Sequence, residues 1–307
     1  MVSTLAQMTA IMLLGTMWRI LKPAGLSADQ TRLVLTQLVY YLLLPALVLA
    51  TLWKARIGNE TLLIALVCGT GILISGSSLW LLLRRFRIVN AQTGALILAV
   101  SIPNVTYLGL PVLEQTFGDF GRSVVMQFDL FGCEPWLFTL GILTAQYYGE
   151  TDEKHPPLWL SLCKVPPIWA AVVAVTCNLN QIIMPVWLNA ILTTLSSAVV
   201  PLMLLSLGMG LQWQSVRWSN FPKVLPVIVI KLGLMPLFAL ALALQSGMHG
   251  QFLTASILEM AMPSMMFGIV LCDRYHLDSA LYAMTVTLTT LLSLLTIPLW
   301  YSYLQQF

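Results

Sequence analysis

Two short strings in this 307-residue chain place a helix-breaking proline and small polar side chains inside strongly apolar sequence. The first is Pro103-Asn104-Val105-Thr106-Tyr107, and the second is Met262-Pro263-Ser264-Met265. A proline in mid-helix removes a backbone donor and frees carbonyls of the preceding turn. The helix that restarts beyond it exposes N–H groups and about half a positive charge at its first turn. Asn104 adds an amide, Thr106, Tyr107 and Ser264 add hydroxyls, and Met265 adds a polarisable thioether. Such groups hold a small polar or anionic solute without making or breaking covalent bonds. Asn104 also stands where it can cap the helix that follows.

Four ionisable residues lie in similarly apolar surroundings. Charges there are expensive and are functional hypotheses by default. Glu259 sits one turn before Pro263. It either takes up a proton, coordinates sodium beside the freed carbonyls, or is a neutral, hydrogen-bonded buried carboxyl. Asp129 and Glu134 are too far apart by α-helical spacing to share one face, and Glu134 precedes Pro135, which marks a kink. Lys231 pairs with one of these acids, attracts an anion, or snorkels to the surface. These four are candidates for coupling transport to a proton or to sodium. Met260, Met262, Met265 and Met266 crowd the second proline and offer an adaptable apolar wall.

The elements that position these residues follow from composition. The chain is 58% apolar and 9% charged, whereas a soluble domain is about 25% charged. This is the composition of an integral membrane protein, and the sequence predicts an all-α membrane protein. A helix needs about 20 apolar residues to cross the hydrocarbon core. That rule predicts spans near 4–21, 33–52, 61–83, 93–117, 123–147, 158–178, 184–211, 224–244, 251–272 and 280–304. No basic region precedes the first, so it reads as a retained span and not a cleaved leader. The hydrophilic stretch 148–157 joins a first five-helix half, 1–147, to a second, 158–307.

Placing both termini outside puts Arg19, Lys22, Arg32, Arg84, Arg85, Arg87, Lys154, Arg217, Lys223 and Arg274 on the inner side. Lys54, Arg56 and Arg122 then face out. That imbalance favours the orientation, because lysine and arginine concentrate in cytoplasmic loops. Arg84, Arg85 and Arg87 read as anchors of this kind. Five spans per half is odd, so related halves are inverted repeats. Tyr40 to Leu49, around Pro45, resembles Val199 to Leu207, around Pro201, and nearly equal intervals lead from these prolines to Pro103 and Pro263. Gly109 and Gly268 follow the two breaks at similar distances. Pro103 lies about 14 Å and Pro263 about 16 Å into their spans at 1.5 Å per residue, near the midplane of a core about 30 Å thick.

The string from Pro103 through Asn104, Tyr107, Gly109 and Pro111 to Phe117-Gly118 resembles the fourth-span motif of the auxin efflux carrier family. Met262-Pro263-Ser264 with Asp273-Arg274-Tyr275-His276-Leu277-Asp278 resembles its ninth-span region. The family includes plant PIN carriers and bacterial malonate- and malate-type permeases. The resemblance implies ten transmembrane helices as two inverted five-helix repeats, with broken fourth and ninth helices crossing at the substrate site. It implies a scaffold-and-transport division, a fold related to bile acid sodium symporters, and a homodimer. In the plant carriers the asparagine after the fourth-span proline contacts the substrate carboxylate, and Asn104 occupies that place. The plant carriers commonly have a long central loop, and the short linker here points to a bacterial-type permease of the plasma membrane.

Other classes are disfavoured. The net charge of +3 gives no electrostatic footprint for nucleic acid. The five cysteines show no paired spacing for disulfides or zinc. His155, His249 and His276 fall in loops, no metalloprotease, nucleophile-elbow or Walker string occurs, and no catalytic residue, metal or cofactor is expected. The sequence reading is a secondary transporter of a small organic anion. A channel is the alternative, and an intramembrane enzyme stands behind it.

Overall fold

The computed structural model describes residues 2–55, 57–85, 88–149 and 165–307. Most of the linker, 150–157, lies outside the described residues, as do Arg56, Arg87, Lys154, His155, Cys163, Lys164 and the start of the predicted sixth span. The described chain is helical and has no strand. The helices are α1 (Val2–Leu21), α2 (Ala28–Leu52), α3 (Asn59–Leu83), α4 (Asn90–Ser101), α5 (Leu110–Gln127), α6 (Ile142–Tyr148) and α7 (Pro166–Leu179). They continue with α8 (Val186–Ser197), α9 (Val199–Gly210), α10 (Trp218–Gln245), α11 (Gly250–Met260), α12 (Gly268–Arg274) and α13 (Ser279–Leu304). Among the described residues, five stretches are long and apolar enough to cross a membrane: α2, α3, Val186–Ser215, α10 and α13.

Proline shapes the helices in a regular way. Four π-helical segments, Val39–Leu43, Val105–Gly109, Phe128–Cys133 and Ile230–Leu234, each end two residues before a proline. The prolines are Pro45, Pro111, Pro135 and Pro236. Each ring displaces the carbonyl four residues back and offers it no N–H. A switch to i→i+5 pairing absorbs that defect without ending the helix. The segment Phe128–Cys133 also corrects the α-helical spacing argument for Asp129 and Glu134, because the backbone between them is not α-helical.

The chain divides into two compact units, each drawing on both halves of the sequence. The first comprises Met1–Thr61, Thr106–Leu130 and Pro156–Gly210. In it α1 and α9 approach to backbone contact: a Cβ on Gly15 would collide with the Leu205 carbonyl, and one on Gly208 with the Met12 carbonyl. Small residues permit this approach, which drives helix association where lipid supplies no hydrophobic force. Thr16 Oγ1 donates to Gly208 O at 3.3 Å and Arg19 Nε to Met209 O at 2.8 Å. At the other end of this unit Asn178 Nδ2 donates to the carbonyls of Trp53 and Ala55, closing the C-terminus of α2.

The second unit comprises Leu62–Val105, Phe131–His155 and Leu211–Phe307. Asp278 caps α13 by accepting from Leu281 N at 2.9 Å. Its other oxygen accepts from Gln92 Nε2 at 3.1 Å, and Lys223 Nζ donates to Gln92 Oε1 at 2.9 Å. One polar chain therefore ties the starts of α4 and α13 to α10. Trp300 Nε1 donates to Leu232 O at 2.8 Å, using a carbonyl of the π segment.

Candidate functional site

Both predicted breaks are present, and they meet within the second unit. α4 ends at Ser101 and α11 at Met260. Beyond these ends the backbone is extended, and Pro103 and Ser264 form an isolated antiparallel bridge. Asn104 N–H donates to Pro263 O at 2.8 Å, and Met265 N–H donates to Ile102 O at 3.1 Å. Ser264 N–H donates to Thr289 Oγ1 at 3.2 Å. The polar backbone that two broken helices expose is thus satisfied largely by the partner break, as a lipid environment demands.

This corrects two expectations. The second half-helix does not begin directly after Pro263: α12 starts at Gly268, because Ser264 and Met265 are committed to the bridge. The N–H groups of Asn104, Ser264 and Met265 are already used, so they are not free donors for an anion. Nor does Asn104 act as a cap. Both of its side-chain polar atoms lack a hydrogen-bond partner among the described residues, and the residue is fully buried. The Ser264 hydroxyl is equally buried and equally without a partner there. Buried polar atoms are almost always paired in folded proteins, and exceptions call for an explanation such as a bound solute or water. Ser256 and Thr290, in the same unit, also bury unpartnered hydroxyls. Sequence reading singled out neither.

α13 braces the second break. The Tyr282 hydroxyl donates to Met265 O at 2.6 Å, and Thr289 lies two turns further along the same helix. Gly268 makes room for this contact, since a Cβ there would collide with the Tyr282 ring and hydroxyl. Tyr282 and Thr289 were not anticipated. Their only signal is a tyrosine and several threonines in a span otherwise apolar enough to cross a membrane.

The ionisable candidates fall in separate places. Glu259 is fully buried in the last turn of α11, and its carbonyl accepts from Met262 N–H at 3.2 Å. Glu134 is buried in the short helix Glu134–Trp136, flanked on both sides by π turns. Lys231 is fully buried and neither snorkels nor makes an ion pair with an acid among the described residues. Its Nζ lies 3.2 Å from the Met235 sulfur, one turn along a helix that here is π-wound. Met260, Met262, Met265 and Met266 are all buried, which makes them packing around the breaks and not lipid-facing residues.

Thr106, Tyr107 and Asp129 belong to the first unit. Thr106 Oγ1 donates to one carboxylate oxygen of Asp129, and the other oxygen has no partner among the described residues. Tyr107 is half-buried.

The sequence matches the family described as membrane transport protein over residues 1–301. It is 29% identical over 300 residues to an uncharacterized transporter of Methanothermobacter thermautotrophicus, covering 97% of this chain and 96% of that protein. It is 28% identical over 285 residues to the uncharacterized transporter MJ1031 of Methanocaldococcus jannaschii, covering 90% and 91%. A third relative, the uncharacterized transporter YfdV of Escherichia coli, is 22% identical over 219 residues, covering 70% of this chain and 69% of its own.

Proposed function

This chain belongs to the membrane transport protein family, a multi-pass integral membrane transporter and not an enzyme, and on that premise we propose that it carries a small organic anion such as a carboxylate by secondary active transport. In this reading ten spans form two inverted repeats, 1–147 and 158–307, with both termini outside a bacterial plasma membrane. Alternating access exposes the crossing of the two broken helices to each side in turn.

One observation carries the proposal: the amide of Asn104 and the hydroxyl of Ser264 are buried without partners among the described residues, beside the Pro103–Ser264 bridge. Leaving a buried polar group unpaired costs about 1–3 kcal/mol. A carboxylate accepting from the Asn104 NH₂ and the Ser264 hydroxyl offsets that cost, with Met265 alongside. Hydrogen bonds to a charged acceptor contribute about 1.5–3 kcal/mol each, enough to orient a solute while leaving it able to depart. Glu259, one turn before the break, is assigned to the coupling ion, a proton or sodium. The resemblance of the Pro103–Pro111 string to auxin efflux carriers supports the choice of a carboxylate.

The test is reconstitution in liposomes with labelled malonate, malate and other small carboxylates under imposed pH or sodium gradients. Saturable uptake of at least one, accelerated by one gradient, is the expected result. Transport of none of them under either gradient would overturn the anion assignment, and non-saturating flux would favour a channel.

A further inference from the structure

A cavity in the second unit lies between α3, α4 and α6 and borders the crossing at Ile102. Its volume is about 400 Å³, within the ~300–1,000 Å³ of small-molecule sites. Leu73, Ser101, Ile102 and Leu143 line it. Trp80 and Tyr147 stand at one end. The walls are open: Leu73 is 40%, Leu143 46% and Tyr147 79% exposed. In a chain that spans a bilayer, an open apolar groove of this kind faces acyl chains.

The aromatic end carries a charge. The Arg84 guanidinium lies over the Trp80 ring at 4.5 Å, and Tyr148 lines the groove with Trp80. Arg84 makes no ion pair with an acid among the described residues. Tryptophan and tyrosine mark the membrane–water interface. A basic group at the mouth of a groove between helices on that level matches an anionic headgroup.

We propose that this groove holds an anionic phospholipid, with one acyl chain along α4 and its phosphate on Arg84. A zwitterionic lipid fills the apolar part equally well but gains less from the arginine. The occupant reaches the crossing directly, because Ile102 both lines the groove and gives its carbonyl to Met265 N–H. A chain seated there buttresses the residue that ties the first break to the second.

The experiment is native mass spectrometry of the purified full chain, given equimolar phosphatidylglycerol and phosphatidylcholine with identical acyl chains. The wild type is expected to retain phosphatidylglycerol about fivefold over phosphatidylcholine, the preference one interfacial arginine supplies. Arg84→Gln brings that ratio to one while total lipid stays near the wild-type level. Ser77→Phe, which fills the groove from α3, lowers retention of both lipids. Thermal midpoints of the variants without added lipid establish that they fold. Equal retention of the two lipids by the wild type overturns the proposal, as does a wild-type ratio in Arg84→Gln.

Discussion

Asn104 donates its backbone N–H to the carbonyl of Pro263 at 2.8 Å, so each helix break is closed by the other. Separately, each proline leaves polar backbone in a place that lipid cannot solvate. Together they form a short bridge that satisfies the main chain and leaves the side chains of Asn104 and Ser264 without partners among the described residues.

Because the main chain makes that bridge, Asn104→Ala is expected to keep the fold and lose the solute. Thermal stability should stay within about 1 kcal/mol of wild type, since no side-chain bond is broken. The KM for the transported carboxylate should rise by about tenfold or more, the value of one hydrogen bond to a charged acceptor. Paired uptake and unfolding measurements check this; an unchanged KM removes Asn104 from the site.

Tyr282→Phe and Thr289→Val should show the opposite pattern at the level of stability. Each withdraws a partner from the second break, leaving Met265 O or Ser264 N–H unpaired in a buried place. A loss of about 1–3 kcal/mol is expected for each, read from unfolding of the purified protein. Thr289→Ser retains the acceptor and should recover most of it.

Gly268→Ala drives a methyl group into the Tyr282 ring. Overpacking of this kind costs about 1–3 kcal/mol. The cost should largely vanish when Tyr282 is already alanine, so a double-mutant cycle reads strong non-additivity. Additive effects would show that the two residues do not share the contact.

Gly208→Ala puts its Cβ against the Met12 carbonyl and should force α1 from α9. The backbone cannot rotate away as a side chain can, so a loss of at least about 1–3 kcal/mol is expected, with the folded yield falling accordingly. Gly15→Ala tests the same approach from the other helix.

Glu259→Gln keeps size and hydrogen bonding but removes the exchangeable charge. If Glu259 carries the coupling ion, uptake persists and no longer responds to the imposed pH or sodium gradient. Full gradient dependence in this variant moves coupling elsewhere, with Asp129, Glu134 and Lys231 as the remaining candidates.

The two breaks were legible because proline in a long apolar run is a conspicuous conflict, and because the conflict occurs twice. The helices before Pro103 and Pro263 end close to where the sequence places the breaks. What the extended residues would pair with was not legible, since backbone groups are alike at every position. The brace from Tyr282 and Thr289 was hidden for a related reason. α13 carries many hydroxyls along an otherwise apolar span, and only packing reveals that those of Tyr282 and Thr289 meet the second break. Sequence left Asn104 between capping a helix and touching a solute, because the same side chain suits both tasks, and the structure shows no cap. For Lys231 the sequence left an acid partner, an anion and snorkelling open, and its Nζ lies 3.2 Å from the Met235 sulfur. Four of the π turns are explained by the prolines two residues beyond them, but Leu137–Gly141 has no such proline, and neither Pro226 nor Pro298 follows a π turn.

The Pro103–Ser264 bridge is made of main-chain atoms, and those atoms are the same for every residue but proline. Descendants of such a sequence can exchange the side chains at 104, 264 and 265 while inheriting the same crossing. Substrate preference then becomes a property that drifts on a fixed frame, and a new cargo requires only a few replacements and no new architecture.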